Sequence, residues 1–260
     1  MVPRVVVAGV LAAVALAAAL GATATSAVGT SASGDPADPL TLAAQAPASP
    51  RGCQYRPRAT NVRSGPAGRR RIALTFDDGP SAYTSRVLDV LERESIPATF
   101  FVEGRKVAGR EQLLLRMLED GDMIGNHSYS HVDLSKASAA AMTQVDDTQD
   151  AIEAATGFTP CLLRAPYGRT SRKLLGALAR RRLTSTLWSV NPRDFLAPGT
   201  AAIRQRVLDG VRPGSIILTH DGGGDRSQTV AAIASIITTL KARGYTFVTV
   251  TDLLGLGLKR

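Results

Sequence analysis

Three histidines and a pair of adjacent aspartates carry most of the chemistry open to this chain. Asp77 and Asp78 follow the apolar run Ile72-Ala73-Leu74 and precede Gly79-Pro80, a strong turn signal. Consecutive residues leaving a strand point to opposite sides, so the two carboxylates need not do the same job. His127 and His131 stand at i, i+4. On a single helical turn that spacing sets both imidazoles on one side, where they suit one metal ion. Two imidazoles and one carboxylate leave a fourth position open for water, the catalytic rather than the structural arrangement. His220 closes another apolar run, Ile216-Ile217-Leu218-Thr219. It is either a fourth ligand or a free imidazole able to give or take a proton. Each feature also has a plainer reading, an acidic turn or a pair of surface histidines, and no single one decides. The same ligands could hold Fe(II) for oxygen chemistry, but the adjacent Asp77 and the distant His220 fit hydrolysis better.

The elements that must position these residues alternate. Apolar or β-branched strands are expected at 72–77, 98–102, 123–124, 161–163, 183–190, 215–218 and 245–250. Helical patterns fall between them at 85–94, 113–118, 138–155, 171–181, 201–208 and 229–243. Repeated strand–helix units imply a parallel sheet with helices outside it. About seven such strands favour a closed or nearly closed α/β barrel, with all strand C-termini on one face. On that face fall Asp77 and Asp78, His127, Arg164, Asp194 and His220.

Four stretches then stand in order: Thr75-Phe76-Asp77-Asp78-Gly79, His127-Ser128-Tyr129-Ser130-His131, Arg164-Ala165-Pro166-Tyr167 and Leu218-Thr219-His220. Together they resemble the motifs of the polysaccharide deacetylase family, the NodB-homology domain or carbohydrate esterase family 4, from Arg69 to the C-terminus. The resemblance implies a distorted, NodB-like (β/α) barrel. It implies a metal-dependent hydrolase that removes N-acetyl groups from N-acetylglucosamine-containing polysaccharide, peptidoglycan or chitin-type oligomers. Asp77 would be the general base. Asp78, His127 and His131 would hold the metal, usually Zn²⁺, with Co²⁺ or another divalent ion as substitutes. Arg164 would orient Asp77, and the Tyr167 backbone N–H would bind the oxyanion. His220 would be the general acid, paired with Asp194, and Leu218 would line the pocket for the acetyl methyl. The family's remaining motif, Asp-x-x-Asp-Trp, is met by Asn191-Pro192-Arg193-Asp194-Phe195. Asn191 replaces the first Asp and Phe195 the Trp. Phe195 can still wall an apolar pocket, so the change bears on substrate shape more than on catalysis. The motifs do not separate N-deacetylation from O-deacetylation of a substrate such as acetylxylan. Against an inactive wall-binding homologue, no proposed catalytic or metal position is lost.

The bulk properties frame this reading. At 260 residues, one domain with appendages is expected. The formal charge of +9 includes Arg69-Arg70-Arg71 and Arg180-Arg181-Arg182, and an anionic cell wall is a fitting partner. Aromatics at 5% and the lack of a nucleic-acid motif argue against nucleic acid. After Arg4, Val5 to Ala22 is almost wholly Val, Ala and Leu, and Ala22-Thr23-Ala24 supplies a small-x-small cleavage pattern. Residues 1–24 therefore read as a secretory signal peptide, with an uncleaved membrane anchor as the weaker alternative. Residues 25–66, rich in Ala, Ser, Thr and Pro, read as a flexible extension, and 67–260 as the catalytic domain. Export and an even cysteine count point to a Cys53–Cys161 disulfide. A secreted monomer is expected.

Overall fold

β3 (Arg71–Gly79) is the axis of the fold: its residues Ile72 to Asp77 are buried in succession. A parallel strand covered on both faces needs such an unbroken apolar run rather than alternation. The computed structural model describes Gly52, Cys53 and residues 59–259. The expected signal peptide, and most of the extension that follows it, lie outside the described residues.

In chain order the other elements are β1 (Gly52–Cys53), β2 (Asn61–Val62), then, after β3, α1 (Thr84–Arg93), β4 (Thr99–Val102), α2 (Glu111–Glu119), β5 (Met123–Asn126) and α3 (Ala139–Thr156). There follow β6 (Leu162–Leu163), α4 (Arg172–Arg180), β7 (Thr184–Thr186), α5 (Thr200–Gly210), β8 (Ile216–His220), α6 (Ser227–Ala242), β9 (Thr246–Phe247), α7 (Val250–Leu254) and β10 (Leu258–Lys259). The parallel path runs β2-β7-β6-β5-β4-β3-β8, with β9 added beside the start of β3. Past β7 the chain reaches β8 through a parallel bridge from Val190 to Ile217. The sheet thus curls on itself as the distorted (β/α) barrel expected, and every site-bearing strand ends on one rim.

Local chemistry explains the helix limits. Ser138 and Ser171 cap α3 and α4, accepting from the N–H groups of Ala141 and Leu174. Gly157 ends α3 in the left-handed conformation at φ 70°. Apolar faces such as Val87, Leu88, Val90 and Leu91 of α1 close over the sheet. Phe76 and Phe100 stack across β3 and β4 at 5.1 Å. Truncating a fully buried residue here, such as Leu74→Ala, is expected to cost about 2–5 kcal/mol.

Four local expectations change. The strand expected at 183–190 is regular only over β7, because the chain turns away there to place Trp188 and Asn191 at a pocket. The strand expected at 245–250 stops at Phe247, because Thr249 accepts from the Asp252 N–H and starts α7. His127 to His131 form no helical turn but an irregular loop, because Ser128 and His131 take φ of 64° and 60°. The folded unit also reaches further toward the N-terminus than composition suggested: β2 pairs with β7, and β1 pairs antiparallel with β10. Cys53 and Cys161 are joined, with Cα atoms 5.8 Å apart, so β1 is stapled to the segment entering β6. In the chain-entropy picture a crosslink over 108 residues stabilises by roughly 4–5 kcal/mol.

Candidate active site

The two aspartates part company because the strand breaks between them. β3 and β4 keep register through Asp77, then resume at Gly79, so Asp78 is an extra residue in a bulge. Its φ is 69°, a left-handed conformation that costs a non-glycine residue about 1–3 kcal/mol and needs its surroundings to hold it. Asp77 stays in the strand and is buried. Its Oδ1 accepts from Arg164 Nη1 at 2.6 Å. Arg164 is fully buried, and three more of its five N–H groups go to Thr75 Oγ1 at 2.8 Å and to the carbonyls of Thr186 and Leu187, both at 3.2 Å. Its guanidinium also lies 4.0 Å from the Phe101 ring centre. Burial lowers the guanidinium's pKa, and Asp77 opposes that shift. A buried charge so fully partnered is a rigid prop for Asp77.

Asp78 turns the other way. Its Oδ1 lies 3.3 Å from His127 Nε2 and 3.3 Å from His131 Nε2. One ligand atom from each of the three residues falls within 4.8 Å of the others. The His127 Nδ1–H donates to the Arg164 carbonyl at 2.7 Å, since a carbonyl can only accept. That leaves the Nε2 lone pair facing Asp78. Asp78 Oδ1 is buried without a hydrogen-bond partner. Three convergent acceptors with no proton assigned between them are the arrangement a cation completes, and an N₂O set suits Zn²⁺ or a similar divalent ion. Burial alone would raise the Asp78 carboxyl, but the close approach of His127, and the charge that His127, His220 and His131 can carry, hold it well below the usual carboxylate range. Burial pulls His127 down, yet Asp77 and Asp78 push it up overall. His131 is lowered by burial and by His127. The loop carrying both histidines is fixed by Asn126, whose Oδ1 accepts from the Ser128 N–H at 2.9 Å and whose Nδ2 donates to the Val145 carbonyl at 2.9 Å.

The third histidine is built differently. His220 Nδ1–H donates to Asp194 Oδ1 at 2.8 Å, and its backbone N–H donates to Asp194 Oδ2 at 2.8 Å. Thr229 Oγ1 donates to the same Oδ2 at 2.9 Å, so both Asp194 oxygens are engaged. Burial opposes the charged imidazole, but the Asp194 bond and charge raise its pKa overall. Phe195 meets His220 edge-on, with ring centres 5.6 Å apart, and Tyr167 meets His131 the same way at 4.6 Å.

These groups share a cleft of about 510 Å³. Asp77, Asp78, His127, His131, Tyr167, Leu218, Phe195 and His220 line it, and Arg164 and Asp194 stand buried behind it. Every expected site residue is therefore brought together. Several neighbours were not foreseen. Thr75 shares Arg164 with Asp77. Arg226 lines the cleft and grips the carbonyls of Gly222 and Gly223 at 2.6 and 2.9 Å. A Cβ on Gly222 would come within 1.8 Å of the Asp78 carbonyl oxygen. Only glycine lets that loop close on the bulge, and the run Gly222-Gly223-Gly224 after His220 was the available signal.

Residues 64–185 match the family profile described as polysaccharide deacetylase. A chitooligosaccharide deacetylase of Bradyrhizobium sp. is 40% identical over 193 residues, covering 69% of this chain and 88% of that protein. A peptidoglycan-N-acetylglucosamine deacetylase of Listeria monocytogenes is 37% identical over 78% of this chain, which spans 43% of that longer protein. Among solved structures, a peptidoglycan N-acetylglucosamine deacetylase in complex with a naphthalenyl N-oxidanyl-benzamide superposes with a TM-score of 0.74 at 32% identity. It covers 77% of this chain and 95% of its own. The bulged aspartate, the paired histidines and the Asp194–His220 couple thus sit in a chain that belongs to the polysaccharide deacetylase family, carbohydrate esterase family 4.

Proposed function

We propose that the protein is an exported, metal-dependent N-deacetylase of N-acetylglucosamine polymers, with peptidoglycan the leading substrate and chitin-type oligomers next. The observation that carries this reading is the partnerless Asp78 Oδ1 between two imidazole nitrogens, beside Asp77 and in one cleft with His220. Asp78, His127 and His131 would hold the divalent ion, Zn²⁺ by donor type. When bound, that ion supplies Lewis acidity, polarising the acetamide carbonyl and bringing the pKa of a neighbouring water toward about 7. Asp77, oriented by Arg164, accepts the proton of the attacking water. The Tyr167 backbone N–H donates to the oxyanion. His220, kept protonated by Asp194, gives a proton to the departing nitrogen, which cannot leave as an amide anion. Leu218 and Phe195 supply apolar walls for the acetyl group and sugar face.

A polymer is favoured over a monosaccharide by the rim. The large hydrophobic side chains exposed among the described residues are Tyr129, Val132, Tyr167, Phe195 and Leu196. All five lie on the three loops that carry His127, Tyr167 and Asp194. Association with an anionic wall is supported at the start of β3. There Arg69 and Arg70 are exposed, and Arg70 Nη1 donates at 2.7 Å to the carbonyl of Arg243, which is exposed as well. Export rests on the apolar segment after Arg4. The test is acetate release from peptidoglycan, chitin oligomers and acetylxylan by the purified protein, before and after chelation and Zn²⁺ return. Metal-restored release from an N-acetyl glycan is expected. Release from acetylxylan alone, or from nothing, overturns the reading. An exported protein whose N-terminus does not follow Ala24 overturns the cleavage site.

A further inference from the structure

Asp78 cannot hold its own conformation. As the bulged residue it has no register partner on β4, and the β8 pairing ends at Asp77 with His220. Its carbonyl is left out of both ladders, and its φ is 69°. The partner for that carbonyl comes from the loop after β4: Lys106 Nζ donates to it at 2.7 Å. The same ammonium donates to Glu103 Oε1 at 2.8 Å. Glu103 is 2% exposed, and its Oε2 accepts from Arg105 Nε at 2.9 Å. The Glu103 backbone N–H donates to the Gly79 carbonyl at 3.0 Å. One short segment thus grips the bulge on both sides of its peptide, through backbone at Gly79 and through side chain at Asp78. The glycine loop at Gly222 packs against the same carbonyl and leaves it little room to turn.

We propose that Lys106, held by Glu103, is a positioning residue that locks Asp78 in the conformation that presents its carboxylate between His127 and His131. This rests on the reading of those three residues as the metal ligands. An ammonium beside a cation site would repel the ion if left unpaired, and the buried carboxylate of Glu103, shared with the exposed Arg105, offsets that repulsion in part. Bulges beside active sites re-aim a side chain, and their maintenance needs a partner for the displaced backbone group. Outer partners of metal ligands typically change affinity by roughly 10- to 100-fold when lost.

The experiment is the Zn²⁺ dissociation constant, by competition with a chromophoric chelator, of the wild-type protein, Lys106→Met, Lys106→Arg and Glu103→Gln. The thermal unfolding of each metal-free protein is measured alongside. Lys106→Met is expected to weaken Zn²⁺ by roughly 10- to 100-fold with little change in metal-free melting temperature, and excess Zn²⁺ is expected to recover most of the activity. Lys106→Arg, which restores a cationic donor, is expected to bind more tightly than Lys106→Met. Should Lys106→Met not fold, Glu103→Gln carries the test, with weakened Zn²⁺ binding the expected result. A purely stabilising lysine would lower the melting temperature and leave the constant unaltered. Wild-type binding with a variant constant within about twofold of it overturns this inference alone, whereas a wild-type protein that binds no Zn²⁺ overturns the metal reading and this inference together.

Discussion

Two histidines that line the cleft differ in what stands behind them. His127 backs onto a neutral acceptor, the Arg164 carbonyl, at 2.7 Å. His220 backs onto a carboxylate, Asp194, at 2.8 Å. A carbonyl fixes the tautomer and leaves Nε2 a lone pair, which is what a metal ligand needs. A carboxylate favours the doubly protonated ring, which is what an acid needs. The same contrast separates the aspartates: Asp77 is bonded to a buried guanidinium, whereas Asp78 Oδ1 has no hydrogen-bond partner. Identical side chains are thereby committed to different work by the partner at their far end.

The harshest way to break this comparison is to exchange the two aspartates' fates. Asp78→Asn and His127→Ala are expected to lose the bound metal and with it essentially all activity. Asp77→Asn is expected to keep the metal and still lose activity, which atomic absorption on purified variants would register. A metal-free Asp77→Asn beside a loaded Asp78→Asn would reverse the assignment. Next in size is the acid side. His220→Ala is expected to cost about 10²–10⁴-fold on an N-acetyl glycan and far less on an activated aryl acetate, whose leaving group needs little protonation, with metal retained. Equal losses on both substrates would make His220 a ligand or base instead.

A gentler change sharpens the contrast by pH. Asp194 holds the His220 pKa above the usual imidazole value, so the imidazolium survives to higher pH and activity falls as pH rises through that raised pKa. Asp194→Asn removes the strongest support for the charged ring and leaves the weaker pull of Asp77 and Asp78 against burial, so the alkaline limb of the rate profile is expected to move to lower pH. An unmoved limb would assign it to another group. The smallest effect belongs to the aromatic edges. Phe195→Ala removes a ring contact with His220 of a kind worth about 0.5–1.5 kcal/mol. A roughly two- to tenfold rise in KM for an oligosaccharide is expected, and kinetics on the dimer and tetramer would show whether the rim or the acid is being felt.

The sequence was most legible where chemistry is local. The unbroken apolar run of β3 and the helical patterns that begin at Ser138 and Ser171 are written in neighbouring residues, and the structure places β3, α3 and α4 there. Expectation failed where a few backbone dihedrals decide. Helical spacing suggested a turn for His127 to His131, yet positive φ at Ser128 and His131 delivers the same convergence through a loop, with the rings 5.1 Å apart. By itself the sequence determined the alternation of strands and helices, the ligand types and the rim on which they gather, because periodicity and strand direction follow from which residues are apolar. Only the tertiary structure decided that Asp78 bulges, that Lys106 and the glycine loop brace it, and that Asp194 takes both the ring and the backbone N–H of His220. Those contacts join residues 26 to more than 100 positions apart, or end on backbone carbonyls, which every residue has and which leave no mark in the order of side chains.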